Sequence, residues 1–211
     1  MGILEQISES LQRGDDEQAG ALTGRAIDEG IPPKEILDGG LIAGMNVIGE
    51  RFRVHEIFLP DVLMAAKAMY AGMDLLKPLL IKEGVPTMGK VVIGSVQGDL
   101  HDIGKNLVGI MLKGAGFEVI DLGNDVPPSR FVETAVGEDA SVIGMSALLT
   151  TTMPVMKNVV DLLRERGLDG IKTIIGGAPV SEEFAGSIGA DSYGFDAANS
   201  VVRVKRLVGA R

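Results

Sequence analysis

One of the two histidines in this 211-residue chain stands between carboxylates. It lies in Gly98-Asp99-Leu100-His101-Asp102-Ile103-Gly104-Lys105-Asn106, with Asp99 two residues before it and Asp102 directly after. Two other stretches carry unusual chemistry. Ser146-Ala147-Leu148-Leu149-Thr150-Thr151-Thr152 is rich in small hydroxyls, and Gly176-Gly177-Ala178-Pro179 offers a strip without side chains, where a ligand can run close to the backbone. A serine–histidine pair could hydrolyse an ester or amide, but no Gly-x-Ser-x-Gly elbow is present. The glycines match neither a phosphate loop ending in Gly-Lys-Ser/Thr nor a Gly-x-Gly-x-x-Gly at a first strand-to-helix turn. One imidazole is too few for a zinc site of the usual protein-only kind. It is enough for an axial ligand to a metal already held by a macrocycle, where the cofactor carries the chemistry. Each piece also has a plainer reading. Asp99 or Asp102 can cap a helix, His101 can be a solvated loop residue, the hydroxyls can satisfy loop backbone groups, and the glycine pair can be a strand-end turn.

The elements around these residues would gather them. The apolar run 91–95 reads as a buried strand, and further short β-rich runs follow at 117–121, 142–146, 173–175 and, more weakly, 192–195. Helical segments lie between and after them, near 106–113, 128–136, 154–166, 181–188 and 197–207. Strands that each lead into a helix predict a doubly wound, five-stranded parallel sheet, Rossmann-type, in the flavodoxin-like order 2-1-3-4-5. In that order the loops after strands 1, 3 and 4 meet at the switch point, where open α/β sheets hold ligands. The three stretches are those loops. Residues 1–84 carry helical periodicity instead, with apolar faces such as Ile3, Leu4, Ile7 and Leu11. Helices are predicted over 3–11, 16–29, from Pro33 to about Phe52, and from about Pro60 past Leu76, with Pro78 distorting or ending the last. The expectation is an α/β chain: a four-helix bundle over 1–84, a linker at 85–89, and an α/β domain over 90–211.

Composition narrows the function. A net charge of −9 argues against nucleic acid, because phosphate binding needs a basic surface. There is no cysteine, hence no disulfide and no thiolate chemistry. No uninterrupted apolar run reaches the ~18 residues of a membrane span, and residues 1–5 lack the basic and apolar regions of a signal peptide. These features point to a cytoplasmic protein without a membrane or nucleic-acid partner.

Asp99-x-His101-x-x-Gly104, 41 residues, Ser146-x-Leu148, 27 residues, then Gly176-Gly177 resembles the signature of the cobalamin-binding fold. The wording Gly-Asp-Leu-His-Asp-Ile-Gly-Lys-Asn is similar to the methionine synthase and corrinoid methyltransferase branch. Gly44-Met45-Asn46-Val47-Ile48-Gly49 and Phe58-Leu59-Pro60 resemble the helical cap of that branch. The resemblance covers nearly the whole chain and is closest to the two-domain corrinoid proteins of methanol, methylamine and methoxyaromatic systems. It implies cobalamin bound base-off/His-on, with His101 as the lower axial ligand of cobalt and Asp99 on the other imidazole nitrogen. Thr152 stands where methionine synthase has a serine that completes a hydroxyl relay. Gly98, Leu100, Asp102, Ile103 and Gly104 complete the binding loop. Ser146, Leu148 and Thr150 would line the channel for the nucleotide tail, Gly176 and Gly177 would let it pass, and Ala197 would touch its far end. Phe58 would cover the upper corrin face, and a hinge over 84–89 would move the cap. The implied activity is a methyl carrier that does not turn over alone. Its implied partners are a substrate-specific methyltransferase, an acceptor methyltransferase using tetrahydrofolate or a thiol, and a reductive activator. A cobalamin-dependent sensor or regulator, or the small subunit of an adenosylcobalamin mutase, are the alternative readings. The first usually adds a DNA-binding domain and the second usually lacks the cap.

Overall fold

The computed structural model describes residues 2–85 and 87–209, so Pro86 of the expected linker lies outside the described residues. They divide into two compact units, one of 2–85 with 114–116 and one of 87–113 with 117–209. The first unit is helical. Its α1 is Ile3–Gln12 and its α2 is Asp16–Asp28, and α2 begins where the Asp15 side chain accepts the Gln18 N–H at 2.9 Å. A continuous helical run follows: α3 (Pro33–Ile36), a π-helical segment at Leu37–Ile42, and α4 (Ala43–Arg53). Gly39 and Gly40 sit in the π segment, where a Cβ would come within 3.1 Å of Leu4 or 3.0 Å of Ile7 on α1. The wide turn and the missing side chains let α1 cross there. Helix α5 spans Leu59–Lys82. It continues past Pro78, where the sequence predicts a break. Pro78 sits in the last turns of a 24-residue helix, so the helix forgoes one backbone bond near an end that has few left to lose. Ile7, Leu11, Ile36, Leu41, Ile48 and Leu76 are fully buried, each contributing about 1.5–3 kcal/mol.

The second unit is an open sheet of five parallel strands: β1 (Lys90–Ser95), β2 (Glu118–Asp121), β3 (Val142–Ser146), β4 (Lys172–Gly176) and β5 (Ser192–Gly194). Their order is 2-1-3-4-5, as the pattern of elements predicts. Helices α6 (Ile103–Gly114), α7 (Pro128–Gly137), α8 (Pro154–Glu165), α9 (Glu182–Ile188) and α10 (Ala197–Leu207) follow the strands in turn. Helix α6 begins three residues earlier than expected, so Ile103 and Gly104 belong to its first turn. The sheet core holds Val92, Phe131, Ile143, Met156 and Ile175. Phe131 lies against Gly94 of β1, where a Cβ would meet its ring at 2.8 Å. The register then does something useful for the site. Ser95, Ser146, Gly176 and Gly194 pair across the sheet in one row, so the loops leaving β1, β3, β4 and β5 start level with each other at one edge.

Candidate functional site

Gly98 takes a φ of +85°, a conformation open to glycine, and turns the chain back at the end of β1. Asp99 follows and is completely buried. One carboxylate oxygen takes the His101 backbone N–H at 3.1 Å and lies 2.8 Å from its Nδ1. The other takes the backbone N–H groups of Leu148 at 2.7 Å and Leu149 at 3.2 Å, and the Thr152 hydroxyl at 2.8 Å. Burial alone pushes the carboxyl up. The Leu148 N–H, the His101 ring, the Thr152 hydroxyl and the His101 N–H override it and hold Asp99 far below the usual carboxylate range. Every neighbour of Asp99 is a donor, so Nδ1 of His101 must carry a proton toward it. In the neutral ring Nε2 then holds the lone pair, on a side chain that is 51% exposed.

The structure thus joins Asp99, His101, Leu148 and Thr152 directly. Threonine at 152 keeps the hydroxyl in place, and its methyl lies 3.4 Å from where a Cβ on Gly98 would be. Leu148 acts through its backbone N–H while its side chain is exposed. Leu100 and Ile103 are also exposed beside His101. Asp102 precedes α6, and its carbonyl accepts the Asn106 N–H at 2.7 Å. Ser146 and Gly176 are partners in the edge row. Gly177 has a φ of +125° and packs so tightly that a Cβ would stand 1.9 Å from the Ala147 carbonyl oxygen. The glycine pair is therefore demanded by the loops themselves as well as offering a bare strip. Thr150 is exposed on the loop after β3. Ala197 is buried at the start of α10, just beyond β5, where the Asp196 side chain caps the helix by accepting the Asn199 N–H at 2.6 Å. Phe58 belongs to the helical unit and is exposed at the start of α5.

The sequence reading leaves out the loop after β2. Asn124 and Asp125 in that loop bond the backbone of the histidine loop, and Ser95 does so from the end of β1. The order 2-1-3 places β2 beside β1 as surely as β3, and an adjacent side-chain amide donor and carboxylate acceptor at its exit were the available signal. Among the described residues no group of three or more His, Cys, Asp or Glu is gathered as a metal cluster, and no helix is long and apolar enough to cross a membrane.

Comparison with known proteins places this arrangement in context. Two B12 binding domain families match the chain, one over residues 89–202 and the other over 3–77. Dimethylamine corrinoid protein 1 of Methanosarcina acetivorans is 48% identical over 180 residues, 84% of each chain. Trimethylamine corrinoid protein 1 of Methanosarcina mazei is 43% identical over 96% of this chain and 95% of its own. The solved methanol:cobalamin methyltransferase complex MtaBC of Methanosarcina barkeri contains a chain that superposes with a TM-score of 0.88 at 32% identity, covering 99% of this chain and 80% of that one.

Proposed function

The chain belongs to the family of corrinoid proteins built from B12 binding domains, with cobalamin as its cofactor, and from that premise we propose that it is the methyl-carrying component of a methyltransferase system. The observation that carries this reading is the Asp99–His101 pair, a buried carboxylate that fixes the tautomer of a half-exposed imidazole. The donor set fits the group: one nitrogen lone pair at the sheet edge, suited to a metal whose other ligands come from a macrocycle. When bound, the cobalamin supplies the cobalt on which the methyl group is carried.

The chain's own residues then have defined tasks. His101 would hold the cobalt through Nε2, in place of the cofactor's own base. Asp99 holds the ring's orientation and its tautomer, the role an outer partner plays toward a metal-binding histidine. Thr152, Leu148 and Leu149 hold Asp99. Ser146, Thr150, Gly176, Gly177 and Ala197 line the path of the nucleotide tail along the same edge. A partner methyltransferase reads the methyl donor, a second one takes the methyl group on, and a reductive activator restores the carrier after oxidation. The likeness to a chain of the methanol:cobalamin methyltransferase complex supports a methyltransferase as a docking partner.

The test is an anaerobic absorption spectrum after mixing with hydroxocobalamin and desalting, beside the same measurement on His101→Ala. About one corrinoid per chain is expected to be retained by both, with the histidine-ligated features lost only in the variant. An unchanged spectrum in the variant removes His101 from the cobalt, and no retained corrinoid in folded wild-type protein overturns the carrier reading.

A further inference from the structure

The backbone of residues 98–101 has its polar groups tied from outside. The Gly98 N–H donates to Oδ1 of Asp125 at 2.7 Å, and the Asp125 N–H donates back to the Asp99 carbonyl at 3.0 Å. Asn124 Nδ2 donates to the Leu100 carbonyl at 3.3 Å, and the Ser95 hydroxyl donates to the His101 carbonyl at 2.6 Å. Asp125 therefore brackets the Gly98–Asp99 segment with both its side chain and its backbone. It does so with a φ of +53°, a left-handed conformation that aspartate and asparagine tolerate better than most residues.

The bracket is itself fastened. The loop carrying it runs alongside the end of β1: the Ser95 N–H donates to the Gly123 carbonyl and the Val126 N–H to the Ser95 carbonyl, both at 3.0 Å. At its start, Asp121 pairs with Lys105 in the first turn of α6, whose side chain is only 4% exposed. The other oxygen of Asp121 takes the Gly123 N–H at 2.9 Å. So the loop after β2 grips the chain on both sides of His101, at 98–100 before it and at 105 after it.

We propose that Asn124 and Asp125 are positioning residues for the axial ligand: the loop after β2 sets the height and direction of His101 while Asp99 sets its rotation and tautomer. This rests on the reading of His101 as the lower ligand. A ligand bond to an imidazole requires the nitrogen to sit at one distance from the metal, and a loop free to drift by an ångström would not hold it there. Asp99 is anchored from the loop after β3 by Leu148, Leu149 and Thr152, and the loop after β2 supplies the bonds to the backbone of 98–100 that this anchor does not.

The experiment uses the full chain with 15N-labelled histidine, loaded with cobalamin, reduced to the cobalt(II) state and read by electron paramagnetic resonance. Histidine ligation splits each cobalt line into a doublet through the 15N nucleus, whereas the cofactor's own 14N base gives a triplet. Asn124→Ala/Asp125→Gly keeps the positive φ accessible and removes both side-chain bonds. It is expected to lower the ratio of histidine-ligated to unligated cobalt about 30-fold, as the loss of two bonds of about 1 kcal/mol each implies. Asp125→Asn keeps an acceptor oxygen and is expected to behave as wild type. In the same proteins without cobalamin, the Gly98 amide is expected to exchange with deuterium faster in the double variant. A wild-type doublet that persists undiminished in the double variant overturns the proposal, as does unchanged Gly98 protection. A wild type with no doublet overturns the ligand reading instead, and the exchange experiment then judges the clamp by itself. Should the double variant not fold, Asn124→Ala alone carries both measurements, with an expected ratio about fivefold lower.

Discussion

An amide in place of Asp99 would keep one acceptor and turn the other oxygen into a donor. If the oxygen stays toward His101, the amino group meets the Leu148 and Leu149 N–H groups and the Thr152 hydroxyl, three donors facing a fourth. Asp99→Asn is expected to destabilise the apoprotein by about 2–4 kcal/mol, because it strands buried donors as well as removing a charge. Urea denaturation at pH 7 measures this. The same carboxylate gives the stability an acid limb. Its native pKa lies far below the ordinary 3.8, so the unfolded chain takes up the proton first. The stabilisation is complete above the ordinary carboxylate range and declines as pH falls from about 4 down through the native pKa. The gap between wild type and Asp99→Asn in urea midpoint should therefore be widest near pH 7 and should shrink on acidification. A gap that stays constant down to pH 3 would contradict the assignment. The Asp99–His101 pair was legible in the sequence, since Asp-x-His on a strand-to-helix loop is a compact local pattern. The donors that hold Asp99 were less so: three of them are backbone N–H groups, which any residue supplies and no side chain announces.

At the level of elements, α2 and α5 show opposite flaws at one point of contact. Gly72 on α5 faces Leu41, where a Cβ would lie 2.8 Å from a methyl group, and Thr23 of α2, whose hydroxyl would be 3.0 Å away. That hydroxyl is buried without a hydrogen-bond partner among the described residues. Thr23→Val, which removes an unsatisfied polar atom at constant shape, is expected to stabilise by about 1 kcal/mol. Gly72→Ala, which forces a methyl into an occupied space, is expected to destabilise by about 1–3 kcal/mol. Thermal denaturation of the two variants should move the midpoint in opposite directions. The helices themselves were readable from apolar spacing, as were all five strands and their order. What local pattern missed was set by neighbours. The π turn at Leu37–Ile42 follows from α1 crossing at Gly39 and Gly40, and α5 runs through Pro78 because a buried face holds it on both sides, with Leu76 and Leu80. The early start of α6 is set by its first backbone bond, from the Asn106 N–H to the Asp102 carbonyl.

Over the whole molecule, the segment between the two units is the natural site of cleavage. Glu83, Gly84 and Thr87 are exposed, and short exposed connections without secondary structure are where proteases first gain entry. Brief digestion with a broad-specificity protease is expected to cut first between 83 and 89 and to leave bound corrinoid with the larger product. A first cut inside the sheet unit, or loss of the corrinoid to the smaller product, would contradict the assignment of the site. The division into a helical and an α/β part was visible from the change of periodicity near residue 90, whereas the grouping of 114–116 with the helical residues was not. One consequence reaches back to how the chain is made. The bonds that set His101 span 27 residues to Asp125 and 53 to Thr152, so the motif is synthesised long before the partners that give it meaning. A nascent chain carrying only Asp-x-His holds a floppy imidazole. That imidazole gains its surroundings in two stages as the ribosome advances, first when the loop after β2 emerges and then when Thr152 does. On the proposed ligation by His101, loading waits until three strands have assembled.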